Sequence, residues 1–181
     1  MLVLPARGRK IFSFDVESMG LLGPPFAVGW VVLEDGVETS SGYASIDHRS
    51  FPTSVCSPEE YAWLEQNVFP VLPPPVQGST PKGMYSAFWN AWLDCGRNRS
   101  FMLIENGFPV EMNFLRELVN YDRTRLPVGR PLPISDISSV YPIIGVELER
   151  TALELPAHNP INDARFTARK WVELNQHILV S

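Results

Sequence analysis

The segment KIFSFDVES, Lys10–Ser18, constrains the fold of this chain more than any other. Its apolar and aromatic residues, Ile11, Phe12, Phe14 and Val16, have the composition of a strand buried on both sides. Two carboxylates, Asp15 and Glu17, interrupt it at an i, i+2 spacing. In an extended strand that spacing puts both side chains on one face, about 7 Å apart. Two like charges held side by side repel unless a cation lies between them. Either the strand ends in solvent, or the fold brings something cationic to that face.

The following residues build a sheet around this strand. PFAVGWVVLEDG forms a second strand ending in an Asp35-Gly36 hairpin signal, and VETSSGYASI a third, weaker one. Past the loop DHRSFPTSVCS, Ser57-Pro58-Glu59-Glu60 reads as an N-cap, a first-turn proline and acidic first-turn residues, opening a helix over EEYAWLEQNVF. PVLPPPVQGST is a stiff connector within the domain. PKGMYSAFWNAWLDCG has helical spacing, with Tyr85, Phe88, Trp89 and Trp92 on one face and Gly96 as the stop. SFMLIEN is a short buried strand. FPVEMNFLRELVNY is a helix from near Pro109 with Val110, Phe114, Leu115 and Leu118 inward. RPLPISDIS holds a last strand ending at Asp136, and HNPINDARFTARKWVELNQHI a long helix capped by Asn159, with Pro160 in its first turn. Three hairpin-connected strands followed by alternating helices and strands predict a mixed sheet flanked by helices, with KIFSFDVES central. Ligands collect near the strand ends of such sheets.

Composition narrows the function. At 181 residues the chain is most simply one domain over 1–181, and 45% apolar residues with five tryptophans exclude a disordered protein. A formal net charge of −5 argues against coating long duplexes, but not against gripping a few nucleotides in a cleft. Cys56 and Cys95 form neither a disulfide framework nor a zinc pattern. No run has transmembrane length and MLVLPARGRK lacks the apolar core of a secretory signal, so a reducing, cytoplasmic setting without a membrane is the expectation. ARGRK reads as a solvated basic tail rather than a phosphate anchor.

Further candidates to meet Asp15 and Glu17 lie downstream. AHNPINDARF puts His158 just before the N-cap of the last helix and Asp163 in its first turn. IENGFPVEMNFL puts Glu105 at a strand end and Glu111 in a helical first turn. An acid at a helix N-terminus complements the dipole, which alone would account for Glu111 and Asp163. His48 and His177 read as loop and surface residues, and Asp136 as an ordinary helix cap.

Together, D-x-E on a central strand, an acid opening a mid-chain helix and H-x4-D opening the last helix resemble the DEDD-type 3′-to-5′ exonucleases, specifically the subgroup with a histidine in its last motif. The resemblance runs through nearly the whole chain, from FSFDVES through VEMNFL to HNPINDARFTA. It implies a ribonuclease H-like mixed sheet. It also implies Asp15, Glu17 and Asp163 as metal-binding acids and His158 as general base. The family's third acid is usually an aspartate three residues before a Phe-Leu pair; here Glu111 holds that place in EMNFL, and Glu105 is near enough to replace or assist it.

Such a site is expected to hold two Mg2+ or Mn2+ ions roughly 3.5–4 Å apart, which serve both ends of a phosphodiester displacement. Hard divalent cations call for oxygen donors, with Asp15 the expected bridge. Imidazole, which changes charge near neutral pH, suits removal of a proton from water. In the family the loop after the first acids meets the 3′-terminal sugar and base. That makes Ser18, Met19, Leu21 and Leu22 substrate-binding candidates, with Phe108 a stacking one. The expected substrate is the 3′ end of single-stranded DNA or RNA. A catalytically degenerate nucleic-acid-binding or assembly subunit on the same fold is the rival reading, and no residue decides between a monomer and a homodimer.

Overall fold

The computed structural model describes residues 10–75, 80–96, 100–131, 133–140 and 148–180, with backbone alone for 176–180. All but Lys10 of the basic ARGRK run, and the side chain of His177, lie outside the described residues. Five strands form one mixed sheet in the order β3-β2-β1-β4-β5. They are β1 Lys10–Ser18, β2 Pro25–Glu34, β3 Val37–Ser45, β4 Ser100–Ile104 and β5 Ile134–Asp136. The helices are α1 Pro58–Asn67, α2 Pro81–Cys95, α3 Val110–Tyr121, a single turn α4 Leu126–Gly129, and α5 Pro160–Val180. β1 is central, as its composition predicts.

The first hairpin turns where expected. Asp35 and Gly36 both have positive φ, 52° and 82°, the pairing that matches the twist of the flanking strands. β1 and β2 are antiparallel, with Phe14 opposite Trp30 and Asp15 opposite Gly29. β1 and β4 run parallel from Lys10–Ser100 to Ser13–Leu103, and β4 pairs with β5 up to Ile104–Asp136. The parallel pairing of β1 thus stops before Asp15, so both acids sit beyond the carboxyl end of β4, at the rim of the sheet.

Alternation along β1 assigns its faces. Phe12, Phe14 and Val16 point toward α2 and α3 and join the larger core with Phe88, Trp89, Trp92 and Phe114. Phe88 lies at its centre, edge-on to Phe12, Phe14 and Phe114 at ring separations of 5.3, 5.0 and 4.9 Å. The buried indoles of Trp89 and Trp92 donate to the carbonyls of Gly129 and Arg130, which satisfies their only polar atoms. On the other face Ile11 packs with Leu103, Ala164 and Ala168 beneath α5. Asp15 and Glu17 continue that second face, so the helix that covers Ile11 carries its N-terminus toward the acids.

Gly29 permits this approach. A Cβ at Gly29 would sit 2.3 Å from the backbone nitrogen of Ile161 and 2.4 Å from the carbonyl carbon of Pro160. The start of α5 therefore rests directly on the β2 backbone, next to Asp15. Among the described residues no helix is long and apolar enough to cross a membrane.

Candidate active site

α5 starts as its sequence requires. Asn159 Oδ1 accepts from the Ile161 N–H at 3.2 Å, the capping bond expected of an N-cap, and Pro160 occupies the first turn. Asp163 follows one turn in, and its Oδ2 accepts from the His158 N–H at 2.9 Å. His158 has a φ of 61°, a left-handed conformation uncommon for a non-glycine residue, which this hydrogen bond helps to hold. Glu17, His158 and Asp163 each offer a ligand atom, all within 4.8 Å of one another. Asp15 and Glu111 line the same recess. The tight donor set is thus Glu17, His158 and Asp163, and Asp15, the expected bridge, lines the recess beside it.

The electrostatics of the recess follow from burial and crowding. Burial pushes the Asp15 carboxyl well above its usual range, and the charges of Glu17, Asp163 and Glu111 push it further, with Arg150 opposing. Glu17 is raised well above its usual range by burial and by Asp163 and Glu111. Burial raises Asp163 as well, against the pull of Arg150 and the His158 N–H. Glu111 is 5% exposed. Burial lifts its carboxyl to about 7, although it accepts a hydrogen bond from the Val16 N–H at 3.4 Å. Four of the five carboxyl groups lining the recess, Asp15, Glu17, Glu111 and Asp163, thus resist ionisation there.

Of the two second-motif acids, Glu111 joins this group and Glu105 does not. Glu105 reaches the recess wall, but its carboxylate accepts from Lys170 Nζ at 2.5 Å and Thr167 Oγ1 at 3.2 Å. Asp136 does more than cap. Burial would raise its carboxyl, but bonds from Ser138 and from the backbone N–H groups of Gly107, Ser138 and Asn106 hold it below its usual range. It thereby fixes the Asn106-Gly107 turn, from which Phe108 projects 85% exposed.

Beside the acids lies an apolar cleft of about 480 Å³, walled by Ser18, Gly20, Leu21, Trp63 and Leu64 and sharing Val16, Glu17 and Val110 with the recess or its rim. Leu21 and Leu22 are exposed, Leu22 at 81%. The Leu21 N–H donates to Glu60 Oε1, whose carboxylate also completes the Ser57 capping box, so the loop is tied to the start of α1. Ser18 lines the cleft, with its hydroxyl donating to the Gly20 carbonyl at 2.6 Å.

Met19 is a correction. Its side chain is 0% exposed and packs with Leu64 and Val68, so it belongs to the core and is out of a ligand's reach. The pairing of β1 with β2 shifts register between Glu17 and Ser18, just before Met19. His48 is likewise more than a surface loop residue, since it stacks on Phe69 at 3.9 Å.

Two residues at the site escape the sequence patterns. Arg150 donates from Nη1 to Asp163 Oδ1 and to the Glu154 carbonyl, its guanidinium 4.5 Å from the Phe166 ring centroid. Trp63, 47% exposed on α1, meets the His158 ring edge to face at 4.9 Å. In the sequence Trp63 is one apolar residue among several in EEYAWLEQNVF, and nothing there sets it apart.

The chain shares the fold of structures of E. coli exonuclease I. Among solved structures, the chain resembles E. coli exonuclease I in complex with a dT13 oligonucleotide, with a TM-score of 0.57 and 13% identity over 95% of this chain and 42% of that one. The metal-free exonuclease I–ssDNA complex aligns with a TM-score of 0.62 and 12% identity over 94% of this chain and 41% of that one. The complex with a 5cy-dA13 oligonucleotide aligns with a TM-score of 0.61 and 12% identity over 92% and 40%. The chain therefore spans about two fifths of the length of these structures. No protein-family model matches the chain. No curated protein matches it in sequence.

Proposed function

We propose that the protein is a metal-dependent 3′-to-5′ exonuclease acting on single-stranded nucleic acid and releasing nucleoside 5′-monophosphates. The observation that carries this reading is the convergence of Glu17, His158 and Asp163 within 4.8 Å, on the rim of an exonuclease fold and next to an apolar cleft. The likeness to exonuclease I bound to dT13 supports the choice of single strands.

The residues fit divalent ions. Asp15, Glu17, Glu111 and Asp163 are hard oxygen donors whose mutual repulsion, with Arg150 as the one cation lining the recess among the described residues, favours a further positive charge. Asp15, Glu17 and Asp163 would hold such ions directly, with Glu111 completing the set. Bound there, Mg2+ or Mn2+ supplies charge stabilisation to both the attacking and the leaving oxygen.

The chain's own groups do the rest. The His158 imidazole accepts the proton of the attacking water. Its backbone is pinned by Asp163, and its ring by Trp63. The cleft takes the terminal nucleoside against Leu21 and Trp63, while Leu22 and Phe108 offer exposed apolar surface to the adjoining bases. Asp136 holds Phe108 in place through the Asn106-Gly107 turn.

Incubation with 3′- and 5′-labelled DNA and RNA oligonucleotides tests this. Stepwise shortening from the 3′ end with Mg2+ or Mn2+, absent in chelator, is expected; no shortening with either ion sinks the reading. The Arg150–Asp163 pair favours one rival, a catalytically degenerate binding subunit whose acid is permanently neutralised. On that rival, neither ion raises the melting temperature.

A further inference from the structure

Three cations surround the Phe166 ring: Arg150 and Arg169 with guanidinium carbons at 4.5 and 5.4 Å, and Lys170 with its ammonium at 4.3 Å. Arg169 is gripped by both oxygens of Glu154, and Lys170 by Glu105. These pairs lie outside the donor set. Arg150 differs, because its carboxylate partner is Asp163, a member of that set.

Both oxygens of Asp163 are engaged, Oδ1 by Arg150 and Oδ2 by the His158 N–H. A divalent ion at Oδ1 would lie against the guanidinium, and two cations at one oxygen repel. The same side chain has two further holds that a metal would leave intact: the Glu154 carbonyl at 3.0 Å and the face of Phe166. Its head is a quarter exposed and can turn about those holds without leaving the recess wall. A guanidinium freed at such a place is matched in shape and charge to phosphate oxygens.

We propose that Arg150 is a resident counter-charge of the metal-free site, displaced from Asp163 by the divalent ion and then binding a non-bridging phosphate oxygen of the substrate. This rests on the metal-dependent reading above. It gives Arg150 two successive partners and couples metal loading to phosphate binding.

The test uses the full chain, Arg150→Met and Arg150→Lys, with Mn2+ alone, then 5′-dTMP or thymidine in the presence of Mn2+, followed by calorimetry. Circular dichroism confirms folding. Arg150→Met should bind Mn2+ about tenfold more tightly than wild type, since the competitor for Asp163 is gone. It should bind 5′-dTMP about tenfold more weakly, with thymidine unchanged. Arg150→Lys keeps the charge and should retain near-wild-type Mn2+ affinity, which guards against a Met variant that fails to fold.

Equal Mn2+ affinity in wild type and both variants overturns the displacement while leaving the metal-dependent reading intact. Tighter Mn2+ binding with unchanged 5′-dTMP affinity overturns the transfer to phosphate. Mn2+ binding by Arg150→Met alone means a locked pair, and overturns the proposal in favour of the degenerate rival. No Mn2+ binding by any of the three proteins removes the metal-dependent reading and this proposal together.

Discussion

Two buried glutamates, Glu154 and Glu111, have opposite electrostatics. Glu154, 2% exposed, receives Arg169 on both oxygens and the Thr151 N–H on one. Burial would raise its carboxyl, but these bonds hold it below its usual range. Glu111 is buried almost as completely, meets the Val16 N–H and the charge of Asp136, and is lifted to about 7. Burial is common to both, so burial does not mark a functional acid. The difference is a permanent cation. Glu154 has one and is a structural strut; Glu111 sits among other acids, a state that makes sense if a cation arrives from solution.

Activity should separate the acids most sharply. Glu111→Gln keeps the shape and removes the charge, so turnover should fall about a thousandfold, some 4 kcal/mol of barrier. Glu105→Gln disturbs a pair with Lys170 outside the acid group and should cost less than tenfold. Labelled-oligonucleotide assays on both folded variants check this, and a dead Glu105 variant beside an active Glu111 variant would reverse their roles. Glu154→Gln supplies the converse. Breaking its pair should cost about 3 kcal/mol of stability by denaturant titration, the low end for a buried pair because Arg169 is itself a quarter exposed. An unchanged stability would mean the strut is idle.

The two glutamates should also give opposite pH signatures. Glu154, its folded-state pKa depressed, contributes stability that is present above the unfolded value and lost as pH falls through the folded one. Glu111, raised from an ordinary 4.5 to about 7, retains its proton in the fold after the unfolded chain has released it. Its contribution is therefore lost as pH rises from about 4.5 to 7, to the extent of about 3 kcal/mol, and Asp15, Glu17 and Asp163 act in the same direction. In chelator, the melting temperature should peak near pH 5 and decline toward pH 8, and saturating Mn2+ should flatten that decline. A metal-free protein most stable at pH 8 would contradict the crowding.

What the sequence made legible has a physical boundary. The central strand, the hairpin and the capped last helix were readable because each is a short-range pattern, whereas Asp15, Glu17, His158 and Asp163 stand out through the family resemblance. Of these, Glu17, His158 and Asp163 lie within 4.8 Å of one another. Glu111 is preferred from its place in EMNFL, with Glu105 left as an alternative; the pairing of Glu105 with Lys170, 65 residues on, cannot be read from either segment. Arg150 belongs to no periodic segment, and its partner depends on the path the chain takes into α5. Gly29 looks like a weak point in a strand and is instead where a helix start rests on the sheet. Met19 is named as a loop residue by resemblance, and its burial against Leu64 depends on a contact with α1, some 45 residues on, that no local segment shows.

The smallest expected effect tests whether the acids strain one another at all. Asp15→Asn removes a charge that Glu17, Asp163 and Glu111 all oppose, and replaces it with a neutral group of nearly the same shape. If the recess were merely a polar surface, the change would be neutral in chelator. If the carboxylates are crowded, the metal-free variant should gain about 1 kcal/mol at pH 8, because one of the repelling charges has gone. The gain should shrink toward pH 5, where Glu111, lifted to about 7, has taken up its proton, and Mn2+ should stabilise the variant less than the wild type. Thermal melts at both pH values, with and without Mn2+, supply the four numbers needed. A variant less stable than wild type at pH 8 in chelator would show that Asp15 supports the fold like Glu154, and would take it out of the group that waits for a metal.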